Sequence, residues 1–385
     1  MTPKRACIVG AGIAGLAAAV RLQQIGWETM IVERAPQLRD GGYAVNFAGL
    51  GYEAAERMGL LPALAEKHLV YHEIVYLDGS GRRTTMPLRA QNALLGPRSL
   101  NLMRGDIEYV LNDALDGRAD ARFGTTVTKV DDDGDGVTVT LDGGERERVD
   151  LLIGADGLHS AARHMVFGAE DRFRLDLGHV IAVYDLDRVP DEVPPNTSTS
   201  YNIPGRQVAV AHLGDGRTIA FFAYRTENAA KELAAGARAT LPQVYKDAGW
   251  IVPEILASLR RADSVYFDTV SQIRMGSWSR GRTVLVGDAA WCVTLFAGSG
   301  SALAVAGADL LGTHLDRQSD VPAALRSWEM ELRPKVEKKQ RAGRLAKDLF
   351  VPSDPLGLWL RHISLKAAAS PLVTRMMELR HSGRR

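Results

Sequence analysis

The stretch Ala6-Cys7-Ile8-Val9-Gly10-Ala11-Gly12-Ile13-Ala14-Gly15 decides the fold, because it runs from an apolar strand through a glycine-rich turn into a helix. Gly10 allows the tight turn, and Gly12 lets a pyrophosphate approach the backbone at the helix N-terminus. Gly15 lets the helix pack closely on the strand. The stretch predicts the first half of a βαβ unit that binds a dinucleotide.

A second strand supports this interpretation. The helix, predicted over residues 16–25, leads to a strand predicted over 29–32, which ends at Glu33. A carboxylate at that position is placed to accept hydrogen bonds from a ribose. A glycine-rich turn in an unrelated parallel sheet is the alternative, but it does not explain why the second strand ends in an acid. The pattern favours an adenine dinucleotide.

The composition is that of an ordinary globular protein, and 385 residues are enough for two packed domains. The 47 Lys and Arg against 46 Asp and Glu leave a formal charge of +1, so the charge balance does not favour a nucleic-acid binder. Two cysteines, Cys7 and Cys292, lie far apart in sequence, which indicates a reducing compartment without a disulfide framework.

The N-terminus superficially resembles a secretion signal, since Lys4 and Arg5 precede an apolar run up to Val20. The glycines of that run fall in the dinucleotide pattern, however, and no charge-free stretch of about 18 residues occurs in the chain. We therefore expect neither a signal peptide nor a membrane span, and we expect a cytoplasmic protein.

The middle of the chain differs in its residue pattern from the N-terminal part. Strands rich in Val, Tyr, Phe and Thr are predicted at 181–184, 198–203, 207–213 and 218–224. They indicate an antiparallel sheet inserted into the nucleotide-binding domain, which resumes at an apolar strand over 283–288. Helices are predicted over 50–58 and 104–115, and hairpins pair 72–77 with 83–88 and 137–141 with a strand that enters 151–153.

Two further motifs place an acid beside a glycine at the end of a buried strand. The first ends in Asp156-Gly157 and is followed by a turn that carries Ser160 and Arg163. An acid at a strand end often simply caps a turn, and that alternative stays open for each motif taken alone.

The second of these motifs ends in Gly287-Asp288, and Gly298 and Gly300 then precede an alanine-rich helix. Its carboxylate can hold ribityl hydroxyls, and the positive end of the helix can face the anionic N1–C2=O edge of a flavin. Together the three motifs, in this order, predict FAD.

With these motifs and Arg104 at the start of its helix, nearly the whole chain resembles the single-component FAD-dependent aromatic hydroxylases, the para-hydroxybenzoate hydroxylase-like flavoprotein monooxygenases. Within that family it looks most like the tetracycline destructases. The matching segments are 39–45, 153–160, 266–273, 277–278 and the helical tail after Pro352.

The resemblance implies an α/β fold: a Rossmann-like FAD-binding domain with an inserted antiparallel β-sheet substrate domain and a C-terminal helical tail. We expect the FAD-binding domain at residues 1–175 and 268–330 and the substrate domain at 176–267. Helices over 331–385 are expected to bridge the two domains. A monomer or a homodimer is consistent with this organisation.

The resemblance also implies roles for single residues. Glu33 would bind the adenosine ribose, Arg34 would lie near the adenine, and Arg104 would contact the pyrophosphate and ribityl region. Asp288 would hold the ribityl chain, and Asp156 would support both FAD and NADPH binding. The predicted cofactor-binding residues are Gly10, Gly12, Ala14, Gly15, Glu33, Arg34, Arg104, Asp156, Asp288, Gly298, Gly300 and Ser301.

The implied activity is that of a monooxygenase. NADPH or NADH reduces FAD, O₂ adds to give a C4a-hydroperoxide, and one oxygen atom passes to a polycyclic phenolic or enolic substrate such as a tetracycline or an aromatic polyketide. The protein orients the substrate and excludes water, so no catalytic side chain and no metal are required. His159 and His164 lack a neighbouring cysteine or acid cluster and are interpreted as surface or capping residues.

The chain departs from the family after Gly287-Asp288. Leu295 stands where the family usually has proline, and Ala302, preceded by Ser301, stands where Asn is frequent. We expect FAD binding to survive because backbone groups make the contacts there.

Candidate substrate-binding residues are Tyr43, Tyr201, His212, Phe222, Tyr224 and Phe296. Tyr43 and Phe296 lie near the expected flavin ring by motif position, and the others, with Tyr184, belong to the inserted sheet. His212 and Arg225 could bind an enolate or phenolate oxygen. The alternative is that aromatic residues in alternating strands pack the sheet.

The amphipathic tail over 356–366 could lie on a membrane surface or pack as a lid at the domain junction, and the resemblance favours the lid. Two other functions stay open: a flavin oxidase or dehydrogenase, such as a geranylgeranyl-type reductase, and a ligand-sequestering flavoprotein that has lost turnover.

Overall fold

The computed structural model describes residues 3–38, 42–213 and 216–382; positions 39–41 of the predicted 39–45 match lie outside the described residues. The strands in these ranges are β1 (Arg5–Val9), β2 (Glu28–Glu33), β3 (Ala44–Ala48), β4 (Glu73–Asp78), β5 (Arg83–Pro87), β6 (Ser99–Met103), β7 (Asp120–Phe123), β8 (Val127–Asp132), β9 (Val137–Leu141), β10 (Arg146–Val149), β11 (Leu151–Gly154), β12 (Arg174–Asp185), β13 (Thr197–Ile203), β14 (Arg206–His212), β15 (Thr218–Arg225), β16 (Tyr266–Ile273), β17 (Ser279–Arg280) and β18 (Thr283–Leu285).

The α-helices of the same ranges are α1 (Ile13–Gln24), α2 (Leu50–Arg57), α3 (Leu61–Glu66), α4 (Leu88–Leu95), α5 (Arg104–Ala114), α6 (Ala161–Phe167), α7 (Ala229–Ala235), α8 (Ala237–Val244), α9 (Val252–Ser258), α10 (Asp288–Trp291), α11 (Gly300–Arg317), α12 (Val321–Phe350), α13 (Pro355–Ala369) and α14 (Pro371–Ser382). Short 3-10 helices cover Glu170–Arg172 and Leu295–Ala297. None of the helices in the described part of the chain combines the length and the apolar character needed to cross a bilayer.

The N-terminal strand lies inside a six-stranded sheet with the order β17-β18-β11-β1-β2-β7. The five strands from β18 to β7 run parallel, and β17 pairs antiparallel to β18. The central strands are continuously apolar because both faces are covered. Ile8 packs in the core with α1 and α11, whereas Cys7 on the opposite face packs against β8 and β9.

One predicted hairpin is corrected by the structure. β9 pairs with β10, not with the strand over 151–153. At Asp150 the chain leaves the hairpin, since the Asp150 carboxylate accepts a hydrogen bond from the Arg5 N–H (2.8 Å) and the Asp150 N–H donates to the Arg5 carbonyl (2.8 Å). β11 therefore enters the parallel sheet beside β1. This bend is not visible in the sequence pattern because Val149 and Leu151 on its two sides are both buried apolar residues.

The second sheet has seven strands in the order β16-β12-β15-β14-β13-β4-β5. All neighbours are antiparallel except β13 and β4, which run parallel. The hairpin of β4 and β5, which lies within the predicted range of the FAD-binding domain, thus extends the inserted sheet. One face, which carries Val180 and Phe222, packs against α8 and α9. The opposite face carries Ile181 and Ala223 and turns toward the first sheet.

The C-terminal helices connect the two sheets. α12 packs on α11 and on the 3-10 helix at Leu295–Ala297, and at its end Arg225 of β15 donates to the Val351 carbonyl (2.7 Å). α13 then contacts β5 and β13, and α14 contacts α4.

The sequence favours packing of the tail as a lid at the domain junction, and in the structure the apolar side chains of α13 do not provide that packing. Leu356, Trp359, Leu360 and Ile363 of α13 are all exposed. Arg361 is instead buried, because its guanidinium donates to the Asn202 side-chain oxygen and to the Phe350 carbonyl, both at 2.8 Å. α13 is therefore held by a polar contact, with its apolar side outward.

Candidate active site

A cavity lies where the carboxyl ends of β1, β11 and β18 meet the second sheet. In an open parallel sheet this edge is where ligands bind. Its walls come from the first domain and from the second sheet. The first domain contributes residues 12–14, 155, 157, 158, 288, 292–295, 298–301 and 304, with Tyr43 and Arg104, and the second sheet contributes Ile181, Tyr266 and residues 269–271.

The glycine-rich turn has the geometry that the sequence predicts. Gly10 has φ +107°, and a Cβ atom at Gly15 would lie 1.9 Å from the Gly10 carbonyl oxygen, so only glycine allows this contact between helix and turn. Gly12 directly precedes α1, and the space beside its Cα atom is open. A Cβ atom at Gly12 would lie at least 3.7 Å from its neighbours. The N–H groups at the start of α1 therefore face an open space that fits an anionic phosphate.

Glu33 at the end of β2 is held against the same turn. One carboxylate oxygen accepts from the Ala11 N–H (2.9 Å) and the other from the Ala35 N–H (2.8 Å). These bonds fix the carboxylate at the turn, and its remaining lone pairs can accept from ribose hydroxyls. Arg34, the next residue, is exposed.

Arg104 begins α5 and reaches the turn from the other side. Its guanidinium is 3.5 Å from the Glu108 carboxylate and would lie 3.9 Å from a Cβ atom at Gly12. Burial opposes the charged form, but Glu108, Tyr43 and Asp288 outweigh it, and the pKa of Arg104 is raised above its ordinary value. The cavity thus holds a permanent positive charge beside the phosphate space.

Asp288 follows Gly287, whose φ is +61° and where a Cβ atom would lie 2.6 Å from the Ala14 Cβ. The Asp288 side chain is exposed to the cavity, but the cavity itself is surrounded by protein. This burial raises the pKa of the Asp288 carboxyl, and the nearby Arg104 charge opposes the shift. Gly300 and Ser301 at the start of α11 line the same space, and Gly298 has φ +57°. Glycines, a carboxylate and two helix N-termini therefore converge on one cavity.

Residues 4–338 match the family described as "FAD binding domain". The chain belongs to this family. It is 28% identical to a flavin-dependent monooxygenase of an unknown prokaryotic organism, over 92% of each chain. The solved structures of two proteins share its fold and 26% of its sequence. Tetracycline destructase Tet(51) has a TM-score of 0.82 over 98% of each chain; Klebsiella pneumoniae HpxO, complexed with FAD and uric acid, has a TM-score of 0.79 over 97% of this chain and 95% of its own. The protein is an FAD-dependent monooxygenase.

Asp156 of this flavoprotein, which the resemblance assigns to FAD and NADPH binding, is not among the residues that line the cavity. Its carboxylate accepts from the Ser160 hydroxyl and from the Ala162 N–H (2.9 Å), and the Ser160 oxygen accepts from the Arg163 N–H (2.8 Å). These are the bonds of a capped helix N-terminus. The described contacts of Asp156 correspond to the capping alternative that the sequence left open.

The turn after Asp156 is also connected to the motif at Asp288 by hydrogen bonds. Arg163, which is fully buried, donates to the carbonyls of Leu158 (2.7 Å) and Ala289 (3.0 Å) and pairs with Glu170. His159 bridges Glu170 (3.0 Å) and Asp268 (3.1 Å), and its hydrogen bond to the Asp268 carboxylate raises the pKa of His159. Among the described residues no group of three or more His, Cys, Asp or Glu could hold a metal ion.

Of the two motif-based substrate candidates, the structure brings one into the cavity. Tyr43 lines it, and burial raises the pKa of its phenol to about 12, so the hydroxyl stays protonated and can donate. Phe296 packs behind the wall instead, with its ring centroid 5.1 Å from that of His179 and 4.7 Å from that of Phe350. Burial lowers the pKa of His179 to about 4, so this contact involves a neutral imidazole.

The substrate candidates on the inserted sheet lie on its other face. The rings of Tyr201, Phe222 and Tyr224 are buried among side chains of α8 and α9, and Tyr184 donates to the Ile255 carbonyl (2.8 Å). By strand register His212, opposite Thr218, belongs to this face as well.

These side chains pack the face of the sheet that is turned away from the cavity, as the packing alternative expects, and their contact with the substrate stays a prediction. The reason is the alternation of side chains along a strand: the cavity receives the odd-numbered face of β12, which carries Ile181. Arg225 is also unavailable, since it pairs with Asp348 and donates to the Val351 carbonyl (2.7 Å).

Several cavity residues belong to no motif that predicts a site role. Tyr266 and Val270 come from β16, and Thr294 from the segment that departs from the family. Tyr266 is partly open to the cavity, yet the protein around the cavity raises the pKa of its phenol, and Tyr43 adds to the shift. The two phenols therefore share the cavity in their protonated form. Thr294 has φ +83°, a left-handed conformation that is rare for a β-branched residue. The aromatic and β-branched residues of 266–273 are the signal in the sequence that indicates β16.

Proposed function

We propose that the protein uses NADPH or NADH to reduce bound FAD and inserts one oxygen atom from O₂ into a polycyclic phenolic or enolic substrate, such as a tetracycline or an aromatic polyketide. The observation that carries this proposal is the cavity itself: the dinucleotide turn faces an apolar wall from the second sheet, with two phenols at the junction. Bound FAD would accept the two electrons of the coenzyme and activate O₂. The chain supplies binding, orientation and exclusion of water.

The cofactor contacts follow from the placement of the predicted residues. We assign Glu33 to the adenosine ribose, the start of α1 with Arg104 to the pyrophosphate, and Asp288 to the ribityl hydroxyls. Gly298, Gly300 and Ser301 would approach the isoalloxazine ring, where the N-terminus of an 18-residue helix favours the anionic edge. We assign Arg34, which follows Glu33, to the adenine.

The substrate side of the cavity combines an apolar wall with few polar groups. Ile181, Val270 and Leu295 contribute side chains without hydrogen-bonding groups, which excludes water from the reacting centre. Tyr43 and Tyr266 can each donate a hydrogen bond to an enolate or phenolate oxygen, since both phenols are protonated at neutral pH. A flat, polycyclic substrate with such an oxygen at its edge satisfies both features.

The test follows both the electrons and the oxygen. Purified FAD-loaded enzyme is mixed anaerobically with NADPH or NADH, with and without a tetracycline, and bleaching of the flavin is recorded. Isotopically labelled O₂ is then admitted, and the product is analysed by mass spectrometry. We expect the substrate to accelerate bleaching and the product to contain one labelled oxygen atom.

The alternatives give different outcomes in the same experiment. An oxidase or reductase would bleach and turn over without label in the product, and a ligand-sequestering flavoprotein would bind the tetracycline without faster bleaching. Uric acid, present in the HpxO structure, serves as a small heteroaromatic comparison substrate. Turnover of uric acid but not of tetracyclines would refute the polycyclic substrate class.

We also propose a cytoplasmic location and a monomeric or homodimeric state. The support for the location is that Cys7 and Cys292 are both free and buried, as expected where thiols stay reduced. Cell fractionation and light scattering of the purified protein test the two statements separately.

A further inference from the structure

A second concavity lies behind the wall of the FAD cavity, and we call it the basic groove. It is bordered by residues 172–175, by 273–278 with Trp291, and by residues 333–344 of α12. Its volume is about 670 Å³, which is in the range of small-molecule and cofactor sites. None of the cofactor roles assigned above uses it.

Arginine dominates its lining. Six arginines line the groove, against the single carboxylate of Glu337: Arg172, Arg174, Arg274, Arg333, Arg341 and Arg344. No lysine is among the lining residues. The planar guanidinium fork matches phosphate oxygens in pairs, which makes arginine the side chain suited to specific phosphate recognition.

Half of these charges are balanced within the protein. Arg174 pairs with Glu170 (2.8 Å) and Asp176 (3.0 Å), and Arg341 lies 3.7 Å from Glu337. The third, Arg333, pairs with Glu329 and stacks on Trp278 with its guanidinium 4.4 Å from the ring centroid.

The other three arginines have no carboxylate partner within the described residues. The Arg344 guanidinium donates to the Gln272 side-chain oxygen (2.8 Å), Arg172 lies 5.9 Å from the Phe173 ring centroid, and Arg274 is exposed. A concave surface with unbalanced positive charge attracts anions and concentrates them there.

The groove shares a wall with the FAD cavity. Gln272, which Arg344 contacts, donates to the carbonyl of Val293 (3.1 Å), a residue that lines the FAD cavity. Gln340 donates to the carbonyls of Trp291 (3.3 Å) and Cys292 (3.2 Å) in the same segment. A ligand in the groove is thus one backbone segment away from the flavin.

We infer that the basic groove binds the phosphate groups of the nicotinamide coenzyme. This inference rests on the proposed use of NADPH or NADH, and it assigns to that coenzyme a site that no glycine-rich motif in the sequence marks. The recognised chemistry is a phosphate ester anion, which both coenzymes carry in the pyrophosphate and NADPH also carries as the 2′-phosphate.

The test is anaerobic stopped-flow reduction of the FAD-loaded enzyme over a range of NADPH and NADH concentrations. The variant is Arg172→Gln with Arg274→Gln, because neither side chain has a described polar partner whose loss would disturb the fold. The charge-matched control is Arg260→Gln with Arg326→Gln, two exposed arginines outside the groove. Arg274→Glu alone is a second groove variant should the double variant be poorly soluble.

We expect the groove variant to raise the apparent Kd for NADPH by about tenfold or more, and the limiting rate of reduction to stay within about twofold. The control should match the wild type, and added salt should weaken coenzyme binding more in the wild type than in the groove variant. Equal losses for NADPH and NADH identify the pyrophosphate as the bound group, whereas a loss confined to NADPH identifies the 2′-phosphate.

Two results would overturn the inference, and they are distinguishable. If the wild type is reduced and the groove variant keeps its Kd within about twofold, the coenzyme binds elsewhere and the proposed function stands. If neither coenzyme reduces the wild-type flavin, the proposed use of NADPH or NADH fails, and the inference fails with it.

Discussion

Gly12 and Gly15 stand three residues apart in one turn, and the structure predicts opposite effects when each is replaced by alanine. A Cβ atom at Gly15 would lie 1.9 Å from the Gly10 carbonyl oxygen, so α1 or the turn must move by about 1 Å to reach an acceptable contact. Overpacking of this kind costs about 3 kcal/mol, and the better helix propensity of alanine returns only about 1 kcal/mol. Gly15→Ala should therefore lower the free energy of unfolding of the apoprotein by about 2 kcal/mol or more.

Gly12→Ala should leave the fold nearly intact and impair FAD binding. Its φ of −80° suits any residue, and the nearest atom to the added Cβ would be 3.7 Å away. The loss of an N-terminal glycine costs less than about 1 kcal/mol. The methyl group would, however, occupy the space through which the pyrophosphate approaches the start of α1, and we expect FAD affinity to fall by about tenfold or more.

Urea unfolding of the apoproteins and titration with FAD, followed by flavin fluorescence, measure the two quantities separately. Each glycine variant is the control for the other. A Gly15→Ala apoprotein as stable as the wild type would refute the close contact between helix and turn. A Gly12→Ala variant with wild-type FAD affinity would show that the phosphate does not approach the backbone at this residue.

Three further predictions concern charged groups. Asp288→Asn should weaken FAD binding by about tenfold, as FAD titration would measure. It should also stabilise the apoprotein at neutral pH, because burial raises the pKa of Asp288 and so makes the ionised carboxylate less favourable in the native state than in the unfolded state. Urea unfolding measures this second effect. The pKa of His159 is raised from 6.5 in the native state, so the protonated imidazole stabilises the protein below pH 6.5, and this stabilisation is lost as the pH rises through the native pKa. The difference in unfolding free energy between the wild type and His159→Asn, measured by urea titration, should therefore shrink with rising pH. Arg361→Met should release α13 and α14 at a cost of about 2 kcal/mol, detected by faster hydrogen exchange over residues 355–382, with FAD affinity unchanged.

The cofactor half of the site was predictable from sequence because its contacts depend on backbone geometry. Gly10, Gly15 and Gly287 are required by a positive φ or by a contact shorter than any Cβ atom allows. Such requirements fix the residue type at each position, so the pattern is visible in the sequence. Strand ends are equally informative, since the carboxyl ends of parallel strands meet at one edge.

The substrate half was not predictable in the same way. Phe222 and Ala223 are neighbours in β15, yet one packs on the helices and the other belongs to the face turned toward the first sheet. Both faces of this sheet are covered by protein, so hydrophobicity does not distinguish them. Only the register against β12 and the position of the first sheet decide which face is presented, and both depend on contacts between residues far apart in the chain.

The segment in which this chain departs from its family is held in place by side chains that come from elsewhere. Thr294 has a left-handed backbone conformation that costs about 1–3 kcal/mol, and it persists only where neighbouring contacts over-determine the chain path. Two fully or nearly buried glutamines provide those contacts, since Gln272 binds the Val293 carbonyl and Gln340 binds the carbonyls of Trp291 and Cys292. Because Gln272 also accepts from Arg344, the wall of the FAD cavity and the basic groove share one hydrogen-bond network. Replacement of the usual proline by Leu295 is therefore compatible with a rigid wall, as rigidity here comes from β16 and α12 and not from the segment itself.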